Sequence, residues 1–304
     1  VTVEQVSFDP EPKEMPAEVR ALMRSADRTV FLARIGDQLR FCDVAADKPA
    51  VVCYALDADM LASPYGTTDY GAFVLLKAAL NRMLGGAETI RVTCPAGTDF
   101  HGPGPGTTEP LPDVGVGRFP VPVFTPIPAA EFSGTVALPG FLVGTGSMYY
   151  TPYALEYEGR LFATFEAGRV TDFHGDSKAV EAAARHYQFV AGKFDIDRDA
   201  VHSWHAGIHP GCEIAGPASL NYERWSGAAF GNPRILHFHT CGAYAPGEIS
   251  WNVIDPTILV DGIPVWQDGV LRPQLVPGGR EILAQHPDIA ELFQSGEPPP
   301  ERYL

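Results

Sequence analysis

The segment Arg234–Gly242, RILHFHTCG, sets the hardest constraint on how this chain can fold. Read as a strand, it turns alternate side chains to opposite faces. Leu236, Phe238 and Thr240 fall on one face, and His237, His239 and Cys241 on the other. Two imidazoles on one face of an otherwise apolar strand are costly to bury without partners. Each histidine alone can also be read as lying on a solvated face or bonding a core carbonyl, so the neighbouring sequence has to decide.

That neighbourhood is rich in ligand-type side chains. Five of the nine histidines lie between His202 and His239, in HSWHAGIH (202–209) and HFH (237–239), and Glu248 follows in PGEIS. Imidazoles with a carboxylate can hold iron or zinc while leaving coordination positions open. Gly207 and Pro210-Gly211 argue against a helix through SWHAGIHPGCE, so this is not a helical HExxH zinc site. His205 is the first-choice ligand, with His202 and His209 as supporting groups or proton carriers. Glu248, just after a Pro-Gly turn, can be aimed back into a cleft. Two histidines and one carboxylate form a facial triad with room for a bidentate substrate and dioxygen. His205, His239 and Glu248 are the expected metal set, with His237 as the alternative to His239. His101 (GTDFHGPG) and His174 (TDFHGDS) are read as Gly-flanked loop residues able to act as acid or base, alongside His209.

Composition narrows the classes of partner. The chain has 304 residues and a formal net charge of −15, which disfavours nucleic acid and acidic membrane surfaces. No apolar run approaches the roughly 20 residues needed to cross a bilayer. Five scattered cysteines without a CxxC pair fit reduced thiols and a cytoplasmic location. There is no GxSxG elbow, Walker loop or Rossmann fingerprint. A small-molecule substrate is the expected partner. The aromatic-Gly stretches GFLVGTGSMYYTPY and RWSGAAFGN can wall its pocket.

The pattern along the chain predicts an α+β protein in two parts. Residues 1–115 read as an α/β domain. Helices are expected over 15–26 and 66–86, the latter capped by Thr67 or Thr68. Strands are expected over 28–35, 38–44, 50–56 and 89–94, the first two as a hairpin. A breaker-rich stretch over 95–128 contains the domain transition. Residues 116–304 read as a mostly β domain carrying the metal site, with tight turns at EGRL, AGRV and DGIP and one helix over 177–192 ending at Gly192.

Several segments, in order over residues 85–270, resemble a known superfamily. IRVTCPAGTDF is similar to its strand-plus-GTD segment, and RFPVPVFTPIPAAEFSGTVALPG to its FP-GGEVFTAP stretch and following G-T-V strand. EAGRVTDFHGDSKAVEAA, HAGIHPG, AAFGNPRILHFHTCG and TILVDGIPVWQDG complete the order. The superfamily holds the aminopeptidase T-like metallopeptidases and the 2,5-dihydroxypyridine 5,6-dioxygenases, and this chain resembles a short, divergent member. The peptidase glutamate of GGEVFTAP is missing, since Val121, Pro122 and Val123 stand there, which breaks a two-metal peptidase centre. His205 stands where the dioxygenases start their H-I-G segment. The family's later H-x-D pair is replaced by E-I-S, which puts Glu248 at its histidine and Ser250 at its aspartate. His239 or His237 can supply the third ligand from the strand where the peptidases carry HIALG. The resemblance implies a mononuclear Fe2+ centre, with Zn2+ as the alternative. It also implies oxygen-dependent opening of a small hydroxylated aromatic or N-heterocyclic ring, and a homodimer. The rivals are a metal-dependent hydrolase of aminopeptidase or amidase type and a non-catalytic scaffold that has lost its metal.

Overall fold

The computed structural model describes residues 2–5, 16–32, 48–55, 57–106, 117–120, 125–145, 148–212, 217–222, 225–226, 230–242 and 247–294. The fold is α+β, as the sequence pattern predicts. Three parallel strands, Thr29–Phe31 (β1), Ala50–Cys53 (β2) and Gly117–Phe119 (β5), form a small sheet in the order β1-β2-β5. On one side β1 pairs in parallel with β2; the second strand of the predicted hairpin, 38–44, lies outside the described residues.

Two antiparallel sheets carry the rest. The first has eight strands and runs from Arg169–Gly175 (β11) through Leu161–Glu166 (β10), Ser133–Leu138 (β7), Asp99–Gly102 (β4) and Ile90–Thr93 (β3). It continues through Thr257–Val260 (β16) and Ile263–Gln267 (β17) to Val270–Leu271 (β18). The second has Ile127–Pro128 (β6), Val201–Ala206 (β12), Ile235–Thr240 (β13), Ile249–Ser250 (β14), Phe141–Gly144 (β8) and Ala154–Glu156 (β9) in order, with Asn252–Ile254 (β15) also paired to β13. The eight-stranded sheet crosses the position where the sequence places a domain transition. Its strands β3 and β4 come from before residue 116, and β7 and β16, which flank them, come from after it.

Turn chemistry fixes several of these pairings. Ala167-Gly168, between β10 and β11, and Asp261-Gly262, between β16 and β17, both have two consecutive positive φ angles. That is the backbone of a two-residue hairpin turn whose twist matches the flanking strands. The AGRV and DGIP segments are therefore turns, as their sequences predict.

The two large sheets face each other across an aromatic core. Phe100 of β4 packs edge-on against Phe238 of β13 at 5.0 Å and Trp204 of β12 at 5.7 Å between ring centroids. Phe165 of β10 meets Phe238 at 5.7 Å and Trp251 at 6.0 Å. Edge-to-face contacts over this range are the favoured geometry for aromatic quadrupoles. All five rings are buried, so the sandwich forms on the face of β12 and β13 opposite to the histidines.

Two helices pack into the same core. Tyr70–Gly85 buries Phe73, Leu76 and Leu80. Asp69 caps it, its side chain accepting from the Gly71 N–H at 2.8 Å, rather than the expected Thr67 or Thr68, which belong to a separate short turn of helix and its end. Helix Ser177–Phe194 continues past Gly192 to a left-handed Asp195. Its Tyr187 hydroxyl lies 2.5 Å from Thr240 Oγ1 and accepts the Trp251 indole N–H at 2.6 Å. One phenol thus ties the helix to β13 and to the residue joining β14 and β15.

Truncating Phe238 to alanine removes a ring that packs against Phe100, Phe165 and Trp251. We expect a loss of about 3–5 kcal/mol in urea unfolding. Tyr187→Phe, which leaves the buried Trp251 indole N–H without its acceptor and Thr240 Oγ1, already donating to the Ile249 carbonyl, without the phenol's donated bond, should cost about 1–3 kcal/mol in the same measurement.

Candidate metal centre

Register places the polar side chains of the seven-stranded sheet together. In the antiparallel pair β12–β13, His205 lies opposite His237 and Ser203 opposite His239, while Trp204 lies opposite Phe238. Residues directly opposite share a face. His205, His237, His239 and Ser203 therefore occupy the face turned away from the aromatic core. On the other side of β13, Asn252 of β15 lies opposite His237, and Thr240 lies opposite Ile249. That register puts Ser250 level with His239 on the histidine face, and Glu248 opposite Cys241, where β13 ends in a left-handed residue.

The three imidazoles converge. Each of His205, His237 and His239 offers one ring nitrogen, and those atoms all lie within 4.8 Å of one another. The His205 and His237 rings are 3.8 Å apart between centroids, His237 and His239 4.9 Å, and His205 and His239 5.4 Å. All three are buried. Nitrogens sharing one ion at about 2.1 Å stand roughly 3–3.5 Å apart, so small ring rotations bring this donor set to bonding distance. The donor types suit iron or zinc. Phe230 stacks on His237 at 3.8 Å and 19° between planes. A second small core packs on the same face: Phe141, Val143, Tyr153, Ala218, Trp225 and Ile235.

Glu248 is buried, but its carboxylate is not in the tight group. Its backbone N–H donates to the Cys241 carbonyl at 2.9 Å, and its carbonyl accepts from the Tyr150 hydroxyl at 3.0 Å. Burial, then the charge of Glu248, pushes the Cys241 thiol up to about 12, so it stays protonated near neutrality. Burial likewise pushes the Tyr150 phenol well above its ordinary value.

The other histidines singled out in the sequence lie elsewhere. His101 and His174 are not in loops: they belong to β4 and β11, where the Gly102 and Gly175 beside them continue the strands. Both are exposed on the eight-stranded sheet, and His174 stacks on Phe162 at 5.3 Å. The neighbour of His101 in β4, Phe100, points into the aromatic core, so His101 faces outward from the far sheet of the sandwich. His209 follows β12 and packs against the helix Tyr70–Gly85, stacked on Phe73 at 4.0 Å with Tyr65 edge-on at 5.0 Å. Its Nδ1 accepts from the Gly211 N–H at 3.1 Å, and burial pushes its pKa down to about 3. A neutral ring with that pKa is poorly matched to proton transfer near pH 7. His202 sits at an irregularity of β12 between Val201 and Ser203, half-buried, with Nδ1 2.8 Å from the Ser203 hydroxyl.

The sequence reading passed over Ser203 and Asn252, and named Ser250 only as the counterpart of the family's aspartate. A signal for two of them was present. In Glu248–Val253, EISWNV, polar and apolar residues alternate strictly, the pattern of a strand with two unlike faces.

The architecture has a counterpart among solved structures. No protein-family model and no curated protein sequence matches the chain. Among solved structures, it is similar to 2,5-dihydroxypyridine dioxygenase from Pseudomonas putida KT2440, with a TM-score of 0.52 and 16% identity over 84% of this chain and 74% of that one. At that identity the likeness is one of fold. The superfamily resemblance, on its dioxygenase and its aminopeptidase side alike, rests on the sequence segments. Among the described residues, no helix is long and apolar enough to cross a membrane.

The buried, neutral His209 has a stability signature. Unfolded, the imidazole protonates below about pH 6.5; folded, it resists down to about 3. The unfolded state therefore binds more protons in this window, and stability falls as pH drops through it. His209→Asn retains an acceptor for Gly211 but cannot titrate. Its urea midpoint should decline less than the wild type's between pH 6.5 and pH 4.

Proposed function

We propose that this protein is a mononuclear non-haem metal enzyme that opens a small hydroxylated aromatic or N-heterocyclic ring with dioxygen. The observation that carries the reading is the convergence of His205, His237 and His239 on one buried face of a sheet whose other face is the protein's main core. Three imidazoles from two adjacent strands would hold an Fe2+-type ion and leave open positions. Such an ion supplies Lewis acidity and a redox route from substrate to dioxygen. Both oxygen atoms enter the product as one ring carbon–carbon bond breaks, so no external reductant is required.

This chain's own residues supply the surroundings. Strands β12 and β13 hold the imidazoles on rigid backbone, which keeps their separation fixed from behind by the Trp204–Phe238 layer. Phe230 and the second core give the site an aromatic, water-excluding wall suited to a flat ring. Glu248, opposite Cys241 beyond His239, is the buried carboxylate that can take a proton from the substrate's hydroxyl. Relative to the set read from sequence, this assignment makes His237 a ligand beside His205 and His239 and gives Glu248 the proton.

Metal analysis of protein purified without chelator tests the reading. We expect about one equivalent of iron in the wild type and a loss of most of it in His205→Ala, His237→Ala and His239→Ala. Glu248→Gln should keep the metal and lose turnover. Oxygen uptake with 2,5-dihydroxypyridine, the compound that names the structural neighbour, is the first activity to measure. Bound zinc with oxygen-independent hydrolysis would sink the ring-opening proposal, and absence of stoichiometric metal would favour a non-catalytic scaffold.

A further inference from the structure

Asn252 is the most anomalous polar side chain on the histidine face. It has no solvent exposure, and neither its amide nitrogen nor its amide oxygen has a hydrogen-bond partner among the described residues. It stands directly opposite His237 in the β13–β15 pair. Opposite side chains in an antiparallel pair have Cβ atoms about 4.5–5.5 Å apart, so the carboxamide and the imidazole are neighbours. The flanking pairs confirm which face it occupies. Leu236 and Val253, opposite each other, both join the main core, whereas Ile235 and Ile254, the next pair along, pack in the second core beside Phe230.

Burying an amide with both ends unsatisfied is destabilising, and a leucine of similar size would avoid the loss. A polar group of this kind is explained when a ligand completes its bonds. The carboxamide presents N–H donors and a C=O acceptor side by side in one plane. Its complement is a planar edge carrying an acceptor next to a donor.

We propose that Asn252 is a specificity-determining residue of the histidine site, which reads an adjacent carbonyl and N–H (or their enol form) on the edge of a planar ring. The inference rests on the histidine face being the substrate site. It adds a requirement that a metal centre alone does not impose. A ring with only apolar edges leaves both ends of Asn252 unpaired, and a ring with a cyclic-amide edge satisfies both.

The test uses 2-pyridone, which carries this edge, and N-methyl-2-pyridone, which has lost the donor. Calorimetric titration is run on the full chain, both as purified and after metal removal. The wild type should bind 2-pyridone more tightly by roughly ten-fold or more, the range expected for a lost bond to a buried partner. Asn252→Leu should reduce that preference to less than about two-fold, the donor and acceptor being gone. Its metal content should match the wild type, and its melting temperature should be unchanged or higher. Asn252→Asp, which keeps the shape but lacks donors, gives a second reading and should weaken 2-pyridone binding. Equal binding of the two probes by the wild type, failure of 2-pyridone to bind, or a preference that survives Asn252→Leu would each overturn the proposal. A wild type that binds no metal yet discriminates through Asn252 would overturn the metal reading alone.

Discussion

The structure depends on strands β12 and β13 having two unlike faces, each buried. Trp204 and Phe238, paired across the two strands, face the eight-stranded sheet and are locked there by Phe100 and Phe165. Because side chains alternate, the same register presents His205, His237 and His239 to the other side. A slip of one residue would drive imidazoles into the aromatic core and turn Trp204 and Phe238 outward. The hydrophobic effect on one face therefore fixes the ligand geometry on the other.

The same strand is held from behind by a small polar network. Tyr187 bridges Thr240 and Trp251, linking helix Ser177–Phe194 to β13 and to the junction of β14 with β15. These bonds lie within the main core, where burial pushes the Tyr187 phenol well above its usual value and keeps it neutral. They fix how far Glu248, Ser250 and Asn252 stand along the histidine strand. The face that would hold substrate can thus contain costly polar groups, because the packing that sets their positions lies elsewhere.

Histidine environment separates the residues that converge from those that do not. His209 and His186 are buried singly, and burial pushes them down to about 3 and about 4. Their neighbours are aromatic rings, and they serve as packing groups. His101 and His174 are exposed on the far sheet. Only in the β12–β13 pair does buried imidazole meet buried imidazole. Nothing else in the described residues offers three nitrogen, sulfur or carboxylate donors within such a span.

Much of this was legible in the chain itself. The alternation in RILHFHTCG implied one apolar and one imidazole-bearing face, the Ala167-Gly168 and Asp261-Gly262 turns marked hairpins, and the mixture of helix and strand patterns gave the α+β class. Such features are local, set by the two-residue period of a strand and by which residues accept positive φ. The sequence could not decide which histidines would meet. His205 and His237 are separated by 31 intervening residues, and their meeting is a matter of strand order and register. For the same reason the eight-stranded sheet draws β3 from before the breaker-rich stretch and β4 from within it, and pairs them with strands from after it. Asn252 gave no local sign that it would face His237. Those relations are fixed by the folding of the whole core, since it is the burial of rings remote in sequence that chooses one register over the next.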